Sequence, residues 1–254
     1  MKIEKISKLK DNQYKIYLSD EKIITYDDVI LKYNLLFKKD IDQKLYNQII
    51  DETYYYECYN KALKYALKKV RCINEMKKYL STLNLSISDQ DSIIKKLQDL
   101  NIINDLMYTK AYINDKLLLS KDGPYKIKKD LETNDIDQII IDQELSKIDS
   151  NVFNDKLEKL ILKKINSNHR YSNTQLVSKI MNDMINLGYD KELITDIINN
   201  NLNNDYDILI KEYQKQYHKL SKKYQGYELE NRIRKNLYQK GFKYEDIKKE
   251  DLND

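Results

Sequence analysis

The 254-residue sequence has few of the residues that interrupt helices, with one proline and four glycines. The glycines, Gly123, Gly188, Gly226 and Gly241, are isolated, which excludes the glycine-rich loops that bind nucleotide phosphates or dinucleotides. The hydrolase motif G-x-S-x-G and the zinc-protease motif H-E-x-x-H are also missing. We therefore expect a protein that is not an enzyme and that uses no cofactor.

Cysteine and histidine are equally scarce. Cys58 and Cys72 lie too far apart on predicted helices to favour a disulfide, so we expect two reduced, buried thiols. His169 and His218 have no cysteine or second histidine at ligand spacing, and no metal site is expected.

Long apolar runs are missing too, which excludes a segment that crosses a membrane. The N-terminal MKIEKISKLK lacks the apolar core of a signal peptide. We expect a cytoplasmic monomer without membrane contact. Because the formal net charge is only +4, any nucleic-acid role must depend on local basic patches.

The first 25 residues have the alternation that is typical of strands. Tyr14, Ile16 and Leu18 follow a period of two, and KDN and SDE are turn-like. We predict three short antiparallel strands over residues 1–25. A helix should follow, capped at Thr25 and with acidic residues in its first turn at Asp27 and Asp28.

From about Asp42 onward the sequence is typical of helices. One predicted apolar stripe consists of Ala62, Leu63, Ala66, Leu67 and Val70, and a second of Ile93, Ile94, Leu97 and Leu100. SDQDS at 88–92 is predicted to cap a helix that begins near Ile93, and NNDYD at 203–207 to form a linker and an N-cap.

A short pattern recurs in this helical part. A glycine, or an asparagine or aspartate that tolerates the left-handed conformation, ends one helix, and an apolar residue packs back before the next helix. The copies are Gly188–Tyr189–Ile194, Gly241–Phe242–Ile247, Asp135–Ile136–Ile141 and, more loosely, Asn84–Leu85.

These copies define a unit of three helices and about fifty residues, which cannot bury its apolar stripes alone. We predict a mainly α protein, in which tandem three-helix repeats form an elongated curved array behind a small N-terminal β-containing subdomain. A single compact globule is the alternative. The predicted boundaries are 1–57 for the N-terminal strands and a connecting helix, and 58–101, 102–148, 149–201 and 202–254 for four repeats.

The one proline lies in LSKDGPYKIKKDL, residues 119–131. Gly123 is predicted to end one helix in the left-handed conformation, and Pro124 to begin the next, where its missing N–H costs nothing. Ile127 and Leu131 are four residues apart and should face the core. The residues predicted to be structural at such corners are Gly123, Pro124, Gly188 and Gly241.

Two segments near this corner, INDLMYTKAYI (103–113) and GPYKIKKDL (123–131), are the most distinctive of the chain. With residues 62–145 around them they resemble the core of RecX, the family of bacterial regulators of the RecA recombinase. NLGYDKELI and QKGFKYEDI resemble the extra repeats of the longer, Gram-positive type. The chain departs from the family in that lysine often replaces arginine, which alone forms a bidentate fork.

The resemblance implies a non-enzymatic protein that binds the RecA–DNA filament. It would mainly inhibit filament growth, ATP hydrolysis and strand exchange in homologous recombination, DNA repair and the SOS response. Its implied partners are the RecA filament and single-stranded DNA, with double-stranded DNA left open.

The clearest positive feature is a basic region at 211–240. It holds nine Lys or Arg residues against three Glu, a net charge of +6, with five interleaved tyrosines. Such a region suits a groove that follows phosphates and stacks on bases, whereas a solvated helix face is the alternative. Candidate residues for binding nucleic acid or the RecA filament, here and elsewhere, are Lys126, Lys128, Lys129, Arg170, Lys215, Lys219, Lys222, Lys223, Arg232, Arg234 and Lys235.

Two other functions stay open from the sequence. The chain could be a DNA-binding module that acts without RecA, or a scaffold that contacts only proteins. A helix-turn-helix reader of the major groove is disfavoured, because the last helices of the units, such as DQIIIDQEL, are acidic or neutral.

Overall fold

The computed structural model describes residues 1–243 and is predominantly helical, with a small sheet at its N-terminal end. The strands are β1 (Ile3–Lys8), β2 (Gln13–Leu18) and β3 (Lys22–Tyr26). A short 3-10 helix, Leu35–Phe37, separates the first two α-helices. Over residues 1–243 the α-helices are α1 (Asp27–Lys32), α2 (Gln43–Ala66), α3 (Ile73–Leu80), α4 (Ile87–Asp99), α5 (Asp105–Leu119), α6 (Pro124–Thr133), α7 (Gln138–Ser146), α8 (Ser150–Asn166), α9 (Asn173–Asn186), α10 (Lys191–Asn201), α11 (Tyr206–Leu220) and α12 (Gly226–Tyr238).

The sheet confirms the three strands that the period-two pattern predicts. β2 lies in the middle and pairs antiparallel with both β1 and β3. Its buried Ile16 faces Ile6 on one side and Ile23 on the other. One face of the sheet therefore packs into an apolar core that α1 and the first half of α2 complete.

The chain divides into two compact units. The first holds residues 1–111 and 134–136, and the second holds residues 112–133 and the described residues from 137 onward. In the first unit the second half of α2 packs with α3 and α4 around a second core, which includes Ala62, Met76, Leu80 and Leu97. Cys58 and Cys72 are buried, free thiols, as predicted. No helix within residues 1–243 is long and apolar enough to cross a membrane.

The helices α3, α6, α9 and α12 hold equivalent places along the chain, and the residue before each of the first three makes the same kind of contact. Cys72, before α3, directs its thiol at the carbonyl of Asn134, just after α6. Gly123, before α6, donates its N–H to Leu187, just after α9, at 2.6 Å. Ser172, before α9, donates its N–H to Lys240, just after α12, at 3.0 Å. A bond to the carbonyl of a distant residue thus recurs before α3, α6 and α9, through the thiol of Cys72 and through the backbone N–H groups of Gly123 and Ser172, and we call it the corner joint.

The corner joint between Gly123 and Gly188 is the closest of the three. A Cβ at Gly123 would lie 2.6 Å from the Gly188 oxygen and 2.8 Å from its carbonyl carbon. A Cβ at Gly188 would lie 2.6 Å from the Lys126 Cβ, and Tyr125 also donates its N–H to the Gly188 carbonyl at 3.1 Å. Two backbones meet here at a distance that only glycine allows.

A half-buried carboxylate supports the first residue of α3 and of α9 from a position later in the chain. Asp105 accepts the N–H of Ile73 at 2.8 Å, and Asp205 accepts the N–H of Asn173 at 2.5 Å, with the partners 32 positions apart in both pairs. These N–H groups are among those that a helix cannot satisfy itself. At the matching position of α6 stands Pro124, which has no N–H to satisfy.

Several local predictions are confirmed. Pro124 is the first residue of α6, and Ile127 and Leu131 are fully buried. Gly188 and Gly241 adopt φ values of 82° and 84°, and Asp135 adopts 61°, as predicted for residues that end helices in the left-handed region. The division into four repeats at the predicted boundaries stays a prediction, and Ile247, predicted to follow Gly241 and Phe242 in one copy of the pattern, lies outside the described residues.

Other local predictions are wrong. Gly123 is not left-handed, and close backbone approach explains this glycine instead. Asn84 is not left-handed either, and Asn101, at φ 54°, takes this role after α4. Thr25 does not cap α1, because it is the penultimate residue of β3 and its hydroxyl is hydrogen-bonded to that of Thr53 at 2.6 Å.

The predicted ends of three helices also need correction. Leu67, Val70 and Leu100 lie beyond the last turns of α2 and α4 and are exposed, so they do not extend the apolar stripes. SDQDS at 88–92 lies inside α4, which begins earlier because Ser86 caps it by accepting the N–H of Asp89. NNDYD at 203–207 precedes α11 as predicted, and its Asn204 accepts the N–H of Tyr206 at 2.9 Å, but the side chain of Asp205 accepts from Asn173 of α9 rather than from α11.

Candidate nucleic-acid interface

The outward face of α11 carries a row of cations. Lys211, Lys215 and Lys219 are spaced four residues apart and are all exposed, whereas Leu209, Glu212, Tyr213 and Gln216 on the opposite face are buried. Four residues of helix advance about 6 Å, so the three ammonium groups lie along one side of α11 over about 12 Å. We call these three residues the α11 lysine row. A row of this kind can neutralise successive phosphates of a nucleic acid.

The outward face of α12 combines cations with aromatic rings. Tyr227, Asn231, Arg234, Lys235 and Tyr238 fall on one side of the helix, opposite the buried Leu229, Ile233 and Leu237. Tyr227 is 81% exposed and Tyr238 is 77% exposed, so each ring is available to a partner. We call these five residues the α12 stripe.

The two helices are held together by an apolar core and by a buried ion pair. Leu209, Leu229, Ile233 and Phe242 belong to the shared core. Glu212, which is 3% exposed, binds Lys240 and also accepts a hydrogen bond from Gln216.

Burial alone would raise the pKa of Glu212, but the hydrogen bonds from Lys240 and Gln216 outweigh it, and the pKa is lowered. Glu212 is therefore ionised and paired at neutral pH, and one acidic charge of the basic region is removed from the surface.

Other predicted residues of this region differ in how far they are engaged. Arg232 binds Glu228 at 3.0 Å and its guanidinium lies 3.8 Å from the centre of the Tyr224 ring. Lys222 and Lys223, in the turn between α11 and α12, are exposed. Two of the five interleaved tyrosines, Tyr213 and Tyr224, are buried or half-buried, and the other three are exposed.

A second patch of predicted cations, Lys126, Lys128 and Lys129, follows Gly123 and Pro124, and these cations serve partly to hold that corner. Lys126 binds Asp122 at 2.9 Å, and Lys128 binds Asp142 at 2.6 Å. Asp122 is nearly buried and also binds Lys116 at 2.6 Å, so Lys126 belongs to a local ion network. Lys129 is exposed and forms no ion pair within residues 1–243. Of this patch, Lys129 alone is thus presented like the lysines of α11.

Arg170 lies apart from both patches, in the loop between α8 and α9. The next residue, Tyr171, lines a pocket of about 350 Å³ together with Lys164, Leu176, Lys179, Ile180, Ser167, Asn168 and Asp183, whereas Arg170 itself does not line it. Composition does not reveal this pocket, because Lys164 and Lys179 lie 15 positions apart in the sequence and only the fold brings them together. We call it the α8–α9 pocket.

The described part of the chain has no group of three or more His, Cys, Asp or Glu residues arranged to hold a metal ion. Chemically, the arrangement offers exposed ammonium groups, guanidinium groups and tyrosine rings. These are groups that bind phosphates and stack on bases.

A comparison with protein-family models matches residues 203–249, which contain α11 and α12, to the third three-helix domain of RecX. The regulatory protein RecX of Streptococcus gordonii is 31% identical over 253 residues, which cover 97% of both chains. That of Lactococcus lactis subsp. lactis is 31% identical over 258 residues, which cover 97% of this chain and 95% of the relative.

Solved structures agree. A crystal structure of regulatory protein RecX matches 77% of this chain and 98% of its own with a TM-score of 0.68, and at 22% identity it shows a shared fold. The crystal structure of RecX from Lactobacillus salivarius, at 28% identity, matches 58% of this chain and 96% of its own with a TM-score of 0.53. The resemblance inferred from INDLMYTKAYI and GPYKIKKDL is therefore confirmed: the chain belongs to the RecX family of regulatory proteins.

Proposed function

We propose that this protein binds the RecA–DNA filament and inhibits filament growth, ATP hydrolysis and strand exchange, without catalytic activity of its own. The observation that supports this most is the α12 stripe, in which two cations lie between two exposed tyrosines. The stripe lies in the segment that matches a RecX domain. A family of regulators needs a surface for its target, and this surface suits a target that contains DNA.

The exposed charges of α11 and α12 suit a polyanionic target. Each exposed Lys or Arg that contacts a phosphate releases counterions from the nucleic acid. The binding free energy gained from one such contact is modest and decreases as the salt concentration rises. Several weak contacts on one rigid helix pair add up, because the second and later contacts form at high effective concentration. The buried Glu212–Lys240 pair and the apolar core make α11 and α12 such a rigid pair.

The decisive experiment is the RecA ATPase on single-stranded DNA, titrated with the protein. Wild type is expected to lower the rate, and a variant with Lys222, Lys223, Arg232, Arg234 and Lys235 changed to Gln is expected to need at least about ten-fold more protein for the same inhibition. A control with Lys5, Lys10 and Lys38, exposed lysines of the N-terminal part, changed to Gln should behave as wild type. An unchanged ATPase and unchanged filament length with wild type would contradict the proposal.

A second candidate is direct binding to DNA without RecA. The exposure of Tyr227 and Tyr238 favours it, because stacking of a base on an aromatic ring contributes about 1–3 kcal/mol. Micromolar binding to bare DNA that weakens steeply with salt would support this function. Binding only to RecA-coated DNA would exclude it, and indifference to the five-residue variant would favour a pure protein scaffold.

A further inference from the structure

The α8–α9 pocket combines three features that the basic surface of α11 and α12 does not. It is concave, it has an apolar floor, and cations surround it. Leu176 and Ile180, both buried, form the floor, and the Tyr171 ring forms part of the wall. Its volume of about 350 Å³ is at the lower end of the range for small-molecule sites.

The loop that carries Tyr171 is fixed by one side chain. Asn168 accepts the N–H groups of Arg170 and Tyr171 at 3.3 and 3.0 Å through Oδ1, and its Nδ2 donates to the Tyr171 carbonyl at 2.7 Å. Because these three bonds close the loop on itself, the backbone that carries Arg170 and Tyr171 is held in place before any ligand arrives. Such preorganisation lowers the entropic cost of binding.

The charges around the pocket are unequal. Two lysines that line it, Lys164 and Lys179, are opposed there by one carboxylate, Asp183, which binds Lys164 at 2.5 Å. The Lys179 ammonium lies 3.2 Å from the centre of the Tyr171 ring, and the Arg170 guanidinium lies 5.7 Å from it.

The pKa of the Tyr171 phenol is lowered, first by a hydrogen bond with Lys179 and then by the charges of Lys179 and Arg170. The lowered pKa indicates a positive potential at the phenol, and such a potential favours an anionic ligand.

An inorganic anion alone would leave the apolar floor uncovered, and a protein carboxylate would leave the ring without a partner. We propose that the α8–α9 pocket binds one nucleotide of a single strand, with the phosphate held by Lys179 and Arg170 and the base or sugar against Tyr171 and Ile180. This deepens the proposed function, because it adds a subsite for the strand in a repeat that precedes α11 and α12. A free mononucleotide shares the same chemistry and is the other source of such a ligand.

The test uses the full-length protein, labelled for NMR, and four probes: a pentanucleotide of thymidine, thymidine 5′-monophosphate, thymidine and inorganic phosphate. We expect the pentanucleotide to shift the amide signals of Asn168 and Tyr171, and Lys179→Gln to weaken its binding about ten-fold, which corresponds to about 1.4 kcal/mol. Lys163→Gln is the matched control, because Lys163 is an exposed lysine next to Lys164 that does not line the pocket. It should change the affinity less than about two-fold, within the range of a solvated charge.

The probes separate the possible ligands. Tighter binding of the pentanucleotide than of the monophosphate supports a strand, and equal binding of the two supports a free nucleotide. Inorganic phosphate that binds as well as either, or a pentanucleotide that leaves these signals unmoved, overturns the proposal. The RecA ATPase is measured on the same samples. Inhibition without pocket binding refutes the pocket alone, and pocket binding without inhibition refutes the proposed function alone.

Discussion

Replacing Gly188 by alanine tests whether the corner joint holds the helices of the second unit together. Gly188 and Gly226 both adopt positive φ, 82° and 55°, so an alanine at either position carries the cost of the left-handed conformation, about 1 kcal/mol. They differ in their surroundings. An added Cβ at Gly226 meets nothing within 4 Å, whereas at Gly188 it would lie 2.6 Å from the Lys126 Cβ and 2.9 Å from its Cα.

The extra cost at Gly188 follows from the geometry of the joint. Normal carbon–carbon contacts lie near 3.5–4.0 Å, so the backbones must separate by about 1 Å. That separation breaks the hydrogen bonds from Gly123 to Leu187 and from Tyr125 to Gly188, with a net loss of about 1 kcal/mol each. It also exposes part of Tyr189, which is 4% exposed now, for about 1 kcal/mol more. We expect Gly188→Ala to lower the free energy of unfolding by about 4 kcal/mol and Gly226→Ala by about 1 kcal/mol.

Urea unfolding followed by far-UV circular dichroism measures both values. Gly123→Ala provides an internal check, because Gly123 is not left-handed and its substitution carries the clash alone, for an expected loss of about 3 kcal/mol. If Gly188→Ala and Gly226→Ala shift the unfolding midpoint equally, the joint does not hold these helices and the reasoning is refuted.

Two further predictions concern the carboxylates of Asp105, which is half-buried, and Glu212, which is buried. Asp105→Ala should lower the free energy of unfolding by about 1–2 kcal/mol, because it leaves the Ile73 N–H at the start of α3 without its acceptor, and urea unfolding against the exposed control Asp99→Ala measures this. The lowered pKa of Glu212 means that its contribution is present at neutral pH and is lost as the pH falls below the ordinary value of 4.5. Glu212→Gln should therefore lower the free energy of unfolding at neutral pH by about 3 kcal/mol, because it leaves Lys240 half-buried and without its partner. The free energy of unfolding of this variant should also fall less between neutral and acid pH than that of wild type. If the variant and wild type lose the same stability at acid pH, a group other than Glu212 causes that loss.

Patterns that depend on neighbouring residues along the chain were predictable from the sequence. The period-two alternation at Tyr14, Ile16 and Leu18 defines β2, and the spacing of Ile127 and Leu131 defines the buried face of α6. Gly188 and Gly241 end helices in the left-handed conformation, as their sequence context indicates. In each case the cause is local, since backbone conformation and side-chain direction depend on the residue and its near neighbours.

Features that depend on residues distant in the chain were not predictable. Gly123 is a glycine because Gly188 lies against it, 65 positions later, and its own neighbours do not reveal this. Threonine often caps helices, but the hydroxyl of Thr25 is hydrogen-bonded to that of Thr53 in α2 instead. The α8–α9 pocket is a similar case, because the fold brings Lys164 and Lys179 together around Tyr171.

The candidate interface was only partly predictable from the sequence. The basic region at 211–240 was apparent from composition, and the structure divides it into residues that hold the helices and residues that face outward. Glu212 and Lys240 belong to the first group, and Lys215, Lys235 and Tyr238 belong to the second. Composition alone does not make this division, because it requires the buried face of each helix to be known.

Binding to RecA-coated single-stranded DNA shows whether the α12 stripe contacts the RecA–DNA filament, as we propose. The measurement compares wild type with the Arg234→Gln/Lys235→Gln variant and with a Lys5→Gln/Lys10→Gln control of equal charge. Our expectation is that the first variant binds about ten-fold more weakly and that the control binds like wild type. Equal binding of all three proteins would contradict it.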